Sequence, residues 1–166
     1  MDTTQLIDIL LRDKYAKKYF CGVITLDHLP SRKLTHDCSF IVNSDKSHEK
    51  GMHWFAIYAP LNGYVEYFDP FCLRQIHKEI FEFIKNNSNN YIYNNQQIQH
   101  LSSNKCGLFC LFFILTRSRG IPIEKSIIFF NKISKLNDEI IVNIFEKSKF
   151  KVYFKNKLNI KLLQIQ

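Results

Sequence analysis

Three residues of this 166-residue chain have the type and spacing for nucleophilic chemistry: His53, Asp69 and Cys106. Cys106 stands where the polar stretch QHLSSNK (99–105) gives way to the apolar run CGLFCLFFIL (106–115). Ser102, Ser103 or Asn104 is placed to cap a helix starting there, which puts Cys106 in its first turn. The helix dipole and the free N–H groups of that turn stabilise a thiolate and lower the thiol's pKa. The Cys106 N–H can also face the oxygen of a tetrahedral intermediate, and Gly107 removes a side chain where a substrate backbone would approach. A second donor to that oxygen is available in Gln99, seven residues upstream, with Gln96, Gln97 and Asn104 competing for the role.

His53 and Asp69 have numbers that sum to 122 and flank the turn Pro60-Leu61-Asn62-Gly63, centred at 61.5. Opposite residues of an antiparallel pair have Cβ atoms about 4.5–5.5 Å apart. His53 and Asp69 share parity with Phe55, Ile57, Val65 and Tyr67, so both are expected on one face. A carboxylate there fixes the imidazole tautomer and leaves the other ring nitrogen to work on a thiol. The alternative role is a polar pair that only stabilises the sheet, and a one-residue slip in register would separate the two. The remaining cysteines (21, 38, 72 and 110) read as packing residues. His28, His36, His48, His77 and His100 offer no metal-ligand spacing.

Positioning these groups requires a hairpin and a buried helix, and the pattern supplies both. Asp2 to Lys18 has helical apolar spacing, Cys38 to Val42 is a short apolar strand, and Asn43 to Lys50 is a polar loop. Met52 to Ala59 and Tyr64 to Asp69 read as the two hairpin strands. Leu73 to Lys85 is helical, Tyr91 to Gln99 a strand, and Lys105 to Arg117 the apolar helix, stopped by Gly120 and Pro122. Pro122 to Lys135 and Asn137 to Lys147 look helical, and the basic tail from Lys151 is ambiguous. Strands clustered mid-chain with helices on either side predict an α+β class, and the length predicts a single domain over residues 1–166.

Composition narrows the partners. The net charge of +8 and pI of about 9.2 suit association with a polyanion such as DNA. Basic residues collect in Arg12 to Lys18, Lys125 to Lys135 and Lys147 to Lys161; a plain solvated face is the other reading of them. No apolar run reaches the ~18–20 residues that span a bilayer, so no membrane partner is expected. The N-terminus has no basic region of a secretory signal. Five cysteines without a CxxC pair argue against a disulfide framework or zinc module and for a reducing compartment.

The pieces GMHWFAIYAP, YVEYFDPF and QHLSSNKCGLFCLFFIL resemble the adenain family, the adenovirus maturation proteases, with relatives in other large DNA viruses, virophages and virus-like transposons. YFCGVITLDHLP, CSFIVN and the glycine before Met-His-Trp extend the resemblance upstream, so that it covers about residues 19–115. It implies a papain-like α+β fold of the SUMO-protease-like clan: a mixed central sheet flanked by helices, with the nucleophile at the start of a buried central helix. It also implies His53 as general base, Asp69 as its orienting group, Cys106 as nucleophile and Gln99 as oxyanion donor. Trp54, Gly107 and Gly51 are the expected substrate-side residues. The implied substrates are capsid and core precursor polypeptides cut at Gly-containing sites, in the virion and the infected cell, nucleus or cytoplasmic virus factory. The expected enzyme is a monomer needing no cofactor for chemistry, with DNA or a peptide as possible activators.

The chain departs from the adenoviral pattern in a shorter segment between Asp69 and Gln99 and a reduced C-terminal part. It carries Asp69 where adenoviral members can carry glutamate. Ser88 occupies the position of the cysteine that bonds an activating peptide, which removes the thiol such activation needs. Two rival functions are a deconjugating protease acting on ubiquitin-like proteins and a catalytically silent DNA-binding virion protein.

Overall fold

A computed structural model describes residues 2–73 and 77–145. It places five strands in one mixed sheet, in the order β1 (Phe20–Thr25), β2 (Cys38–Asn43), β3 (Trp54–Ala59), β4 (Val65–Phe68), β5 (Tyr91–Tyr93). The β1–β2 and β4–β5 pairs are parallel, and β2–β3 and β3–β4 are antiparallel. The helices are α1 (Thr3–Arg12), α2 (Lys78–Asn87), α3 (Cys106–Arg117), α4 (Ile123–Ile128) and α5 (Ser134–Phe145). The class is α+β.

Period-two alternation divides the sheet between two cores. Ile41, Ala56, Tyr58 and Phe68 pack with α1, α3, α4 and α5. Phe40, Val42, Phe55, Ile57, Val65 and Tyr67 pack with Ile80, Phe83 and Ile84 of α2. A helix with apolar residues all round has to be buried all round, and α3 is buried continuously from Cys106 to Thr116. Its Phe113 ring stacks on Phe68 of β4 at 4.7 Å between centroids. At its far end Arg117 pairs with Glu66 of β4 at 2.8 Å and lies over the Tyr58 ring. Apolar packing along its length and an ion pair at one end thus fix where its first residue, Cys106, must sit.

The hairpin forms in a register two residues from the expected one. Ala56 faces Phe68, Ile57 faces Tyr67 and Tyr58 faces Glu66, so paired numbers sum to 124. The loop is five residues, 60–64, because Tyr64 joins the turn. A slip of two preserves parity, so each side chain keeps its face. That shared face, however, is the one covered by α2, opposite to α3.

Other elements are shorter than their patterns suggest. Asp13 ends α1 early: its Oδ1 accepts from the N–H of Tyr15 and Ala16 and diverts the backbone into a 3-10 turn, Ala16–Lys18. Only Tyr91–Tyr93 of the stretch 91–99 is strand, and α4 stops at Ile128 with Phe129 and Phe130 in a turn. Strand β1 has no counterpart in the sequence reading; an irregularity between Phe20 and Gly22 breaks its alternation. The expected helix over Leu73 to Lys85 begins only at Lys78, and its residues 74–76 lie outside the described residues, as does the basic tail from Lys151. Among the described residues no helix is long and apolar enough to cross a membrane.

Since Phe113 is fully buried against Phe68, Phe113→Ala should cost about 3–5 kcal/mol. Chemical denaturation measures this, and a loss under about 1 kcal/mol would show that α3 is not held by this contact.

Candidate active site

Cys106 is the first residue of α3, and no side chain caps the helix. The N-cap position is Lys105 rather than Ser102, Ser103 or Asn104; Ser103 Oγ instead accepts from the Lys105 N–H at 3.2 Å. The absence of a capping side chain matters, because a cap would occupy amides of the first turn. Here the main-chain groups of Gly107 and Trp54 act on the Cys106 sulfur and lower its pKa.

His53 reaches the same place from the start of β3. Its carbonyl accepts from the Ser44 N–H at 2.9 Å, continuing the β2–β3 ladder by one residue beyond Asn43 and Trp54. The imidazole Nε2 lies 2.8 Å from Asp69 Oδ1, and the two side chains are 13% and 3% exposed. Nδ1 is buried with no hydrogen-bond partner of ordinary geometry, and the thiol acting on its titration is Cys106. Asp69 comes just after β4, beyond the last β3–β4 pair, and His53 stands at the last bonded position of the β2–β3 ladder, one residue before β3.

Asp69 is held by more than its own strand. Asn94 clamps its backbone from both sides: Oδ1 accepts the Asp69 N–H at 2.8 Å, and Nδ2 donates to the Asp69 carbonyl at 2.6 Å. The Phe71 N–H donates to Asp69 Oδ1 at 2.8 Å, and the Phe71 ring stacks on His53 at 4.7 Å. Neither residue was singled out from sequence. Phe71 had a signal as the last letter of FDPF, whereas Asn94 lies in a polar run where one amide looks like any other.

Burial lowers the His53 pKa, but the bond to Asp69 and the neighbouring Cys106 thiol more than reverse this and raise it to about 9. Burial raises the Cys106 pKa, but His53 and the main-chain groups of Trp54 and Gly107 turn the net shift downward. Opposite shifts of this kind favour a thiolate beside an imidazolium. Cys110, one turn deeper, shows the contrast: its thiol donates to the Trp54 carbonyl at 3.3 Å, and burial pushes its pKa well up.

A cleft of about 650 Å³ opens over Cys106, lined by Trp54, Phe71, Asn104, Gly107 and Leu108 among others. Met52 and Leu101 form an apolar rim, 84% and 70% exposed. A Cβ on Gly107 would meet only ordinary contacts, 3.6 Å from Leu6 and 3.8 Å from Trp54, so packing alone does not demand glycine there. Gly51 does not line the cleft. Its φ is +73°, and a Cβ would come within 2.4 Å of Asn43 Nδ2, so it lets the 44–51 loop return over β2. Gln99 is fully buried: Nε2 donates to Ser103 O at 3.0 Å and to Ser103 Oγ at 3.2 Å, and Oε1 has no partner. Of its competitors, Asn104 lines the cleft, Gln97 donates to the Gln99 carbonyl, and Gln96 turns toward Asn131.

Away from this centre, one group of metal-type ligands comes together among the described residues: Cys21, His36 and Cys38, all within 4.8 Å of one another. Sequence spacing gave no sign of it, because 21, 36 and 38 meet only through the parallel β1–β2 pairing.

A thiol at an open helix start, facing an imidazole held by a carboxylate, is the constellation of thiol hydrolases. Residues 20–158 match the model of the adenovirus endoprotease family, peptidase family C5, and the chain belongs to that family of cysteine peptidases. No curated protein sequence matches it significantly. Among solved structures it is similar to the ASFV pS273R protease, at 20% identity over 64% of this chain and 43% of that one, with a TM-score of 0.49. The central domain of the uncharacterized Lpg1148 protein from Legionella pneumophila is 13% identical, covering 87% and 85% of the two chains, with a TM-score of 0.38. The chain thus spans less than half the length of the ASFV protein.

Two measurements follow from the clamp on Asp69. Asn94→Ala should strand the buried Asp69 N–H and cost about 1–3 kcal/mol in thermal or chemical unfolding. In proton NMR, His53 should titrate near 9 in the wild type and fall back toward its ordinary value of about 6.5 in Asp69→Asn. A His53 midpoint unmoved by Asp69→Asn would mean that the carboxylate does not set it.

Proposed function

We propose that this chain is a viral maturation endopeptidase that cleaves capsid or core precursor polypeptides by acyl transfer through Cys106. The observation that carries the reading is the His53–Asp69 bond, with His53 Nδ1 left to the Cys106 thiol. His53 holds the proton of Cys106 as an imidazolium, and the thiolate adds to the scissile carbonyl. The Cys106 N–H, at the open start of α3, stabilises the resulting oxyanion, with the Gln99 amide as second donor once its contact with Ser103 is exchanged. His53 then protonates the leaving amine, and water, deprotonated by His53, resolves the thioester.

The cleft supports a polypeptide substrate. Met52, Trp54, Phe71 and Leu101 give the cleft apolar walls, and Gly107 lines it without a side chain. The preference for Gly-containing sites rests on family likeness. The charge of +8 supports binding to viral DNA as a means of keeping the enzyme with its substrates in the virion or the infected cell.

With precursor capsid proteins as substrate and mass spectrometry to locate new termini, Cys106→Ala should abolish cleavage. Gln99→Ala should lower kcat about 100–1000-fold with KM little changed. A larger loss in Asn104→Ala than in Gln99→Ala would transfer the donor role to Asn104, which already lines the cleft. Release of a ubiquitin-like fusion in preference to precursor cleavage would favour the deconjugating reading. Full activity in Cys106→Ala would end the proposal.

A further inference from the structure

We propose that Cys21, His36 and Cys38 form a binding site for a soft divalent cation of the zinc class, separate from the Cys106 centre. Their ligand atoms all lie within 4.8 Å of one another. In a tetrahedral site, with metal–sulfur bonds of about 2.3 Å and metal–nitrogen bonds of 2.0–2.1 Å, ligand atoms stand about 3.5–3.8 Å apart. Side-chain adjustment of about an ångström therefore closes the set, with no change of fold.

The fold builds this triangle deliberately. Parallel pairing aligns Phe20 with Ser39 and then Gly22 with Phe40, which leaves Cys21 as the extra residue of a bulge. Bulges re-aim a side chain out of the regular alternation. Gly22, at φ +150°, provides the backbone freedom that the bulge uses. Cys38 opens β2 and is buried, so it anchors one corner, while Cys21 and His36 are exposed and can adjust. The Thr35 hydroxyl lies 3.3 Å from His36 Nδ1, a contact of the kind that orients a ligating imidazole. Asp37, between His36 and Cys38, has its Oδ1 accepting the Leu61 N–H at 2.7 Å; its Oδ2 or a water would complete a fourth position.

Binding replaces two S–H bonds by two metal–sulfur bonds and releases two protons to the buffer, with no electron transferred. Two thiolates neutralise the dication, and the imidazole adds no charge. The metal would tie the 29–37 loop to the β1 bulge. Cys38 and Asn43 are the two ends of β2, and Asn43 pairs with Trp54 beside His53. At about 3.3 Å per residue the ends of β2 are about 16 Å apart, so the two groups lie toward opposite ends of that strand.

The test is a titration of the full chain with Cd²⁺, followed by Zn²⁺ competition, in a reducing buffer. It is run in Cys106→Ala, because a Cys–His pair at the peptidase centre can itself take up these ions. The expected result is one equivalent bound with thiolate-to-metal charge-transfer absorption, and a rise in unfolding temperature with metal concentration. Cys21→Ser and His36→Ala, both at exposed positions, should each weaken binding by at least about 100-fold, more than losing a residue that only hydrogen-bonds a ligand costs. Undiminished binding in Cys21→Ser plus His36→Ala, absence of the thiolate absorption, or a Cys21–Cys38 disulfide that persists in reductant would each overturn the site. All of these outcomes are independent of peptidase activity.

Discussion

The 2.8 Å bond between His53 Nε2 and Asp69 Oδ1 is the interaction on which the candidate site depends. It fixes which ring nitrogen is left for the thiol, and it supplies the negative charge that keeps the imidazole protonated. Sixteen residues separate the partners, and neither lies inside a strand. The sheet provides their location. Asn94 and Phe71 substitute for the missing ladder by holding the backbone and carboxylate of Asp69.

Cys106 depends on a second constraint, the burial of α3. A wholly apolar helix has one stable location, the space between the sheet and α1, α4 and α5. Stacking of Phe113 on Phe68 and pairing of Arg117 with Glu66 fix it along its axis, so its open end arrives beside His53. An uncapped helix start would ordinarily be a weakness, since its amides go unsatisfied. The Trp54 main chain marks the divide: it lowers the pKa of Cys106, and its carbonyl accepts a hydrogen bond from the Cys110 thiol.

Sequence reasoning singled out three residues that the fold brings together, His53, Asp69 and Cys106, but through partly wrong geometry. His53 and Asp69 were paired by counting from the turn, which gave the right parity and a register two residues off, because nothing marked Tyr64 as part of the loop. Their common face, inferred from parity, is the face away from α3. The apolar helix was legible because a continuous apolar run has few alternatives. Strand β1 was not, since a bulge at Cys21 and an edge position erase the alternation that identifies strands. Asp13 and the Phe129–Phe130 turn cut helices short by local hydrogen bonding and packing that periodicity does not register. Asn94 and the Cys21–His36–Cys38 group are products of tertiary folding alone; residues far apart in number acquire a role only when strands pair.

The His53–Asp69–Cys106 geometry leads to one central claim: the His53 imidazole takes up the Cys106 proton and holds the thiol's pKa below its ordinary value. The most direct measurement is the rate of Cys106 alkylation by iodoacetamide as a function of pH, with the modified residue located by mass spectrometry. The ion pair predicts a rate nearly level between about pH 6 and 8 and far above that of Cys110. A Cys106 rate that climbs about tenfold per pH unit until about 8.5, as for an ordinary thiol, would contradict it.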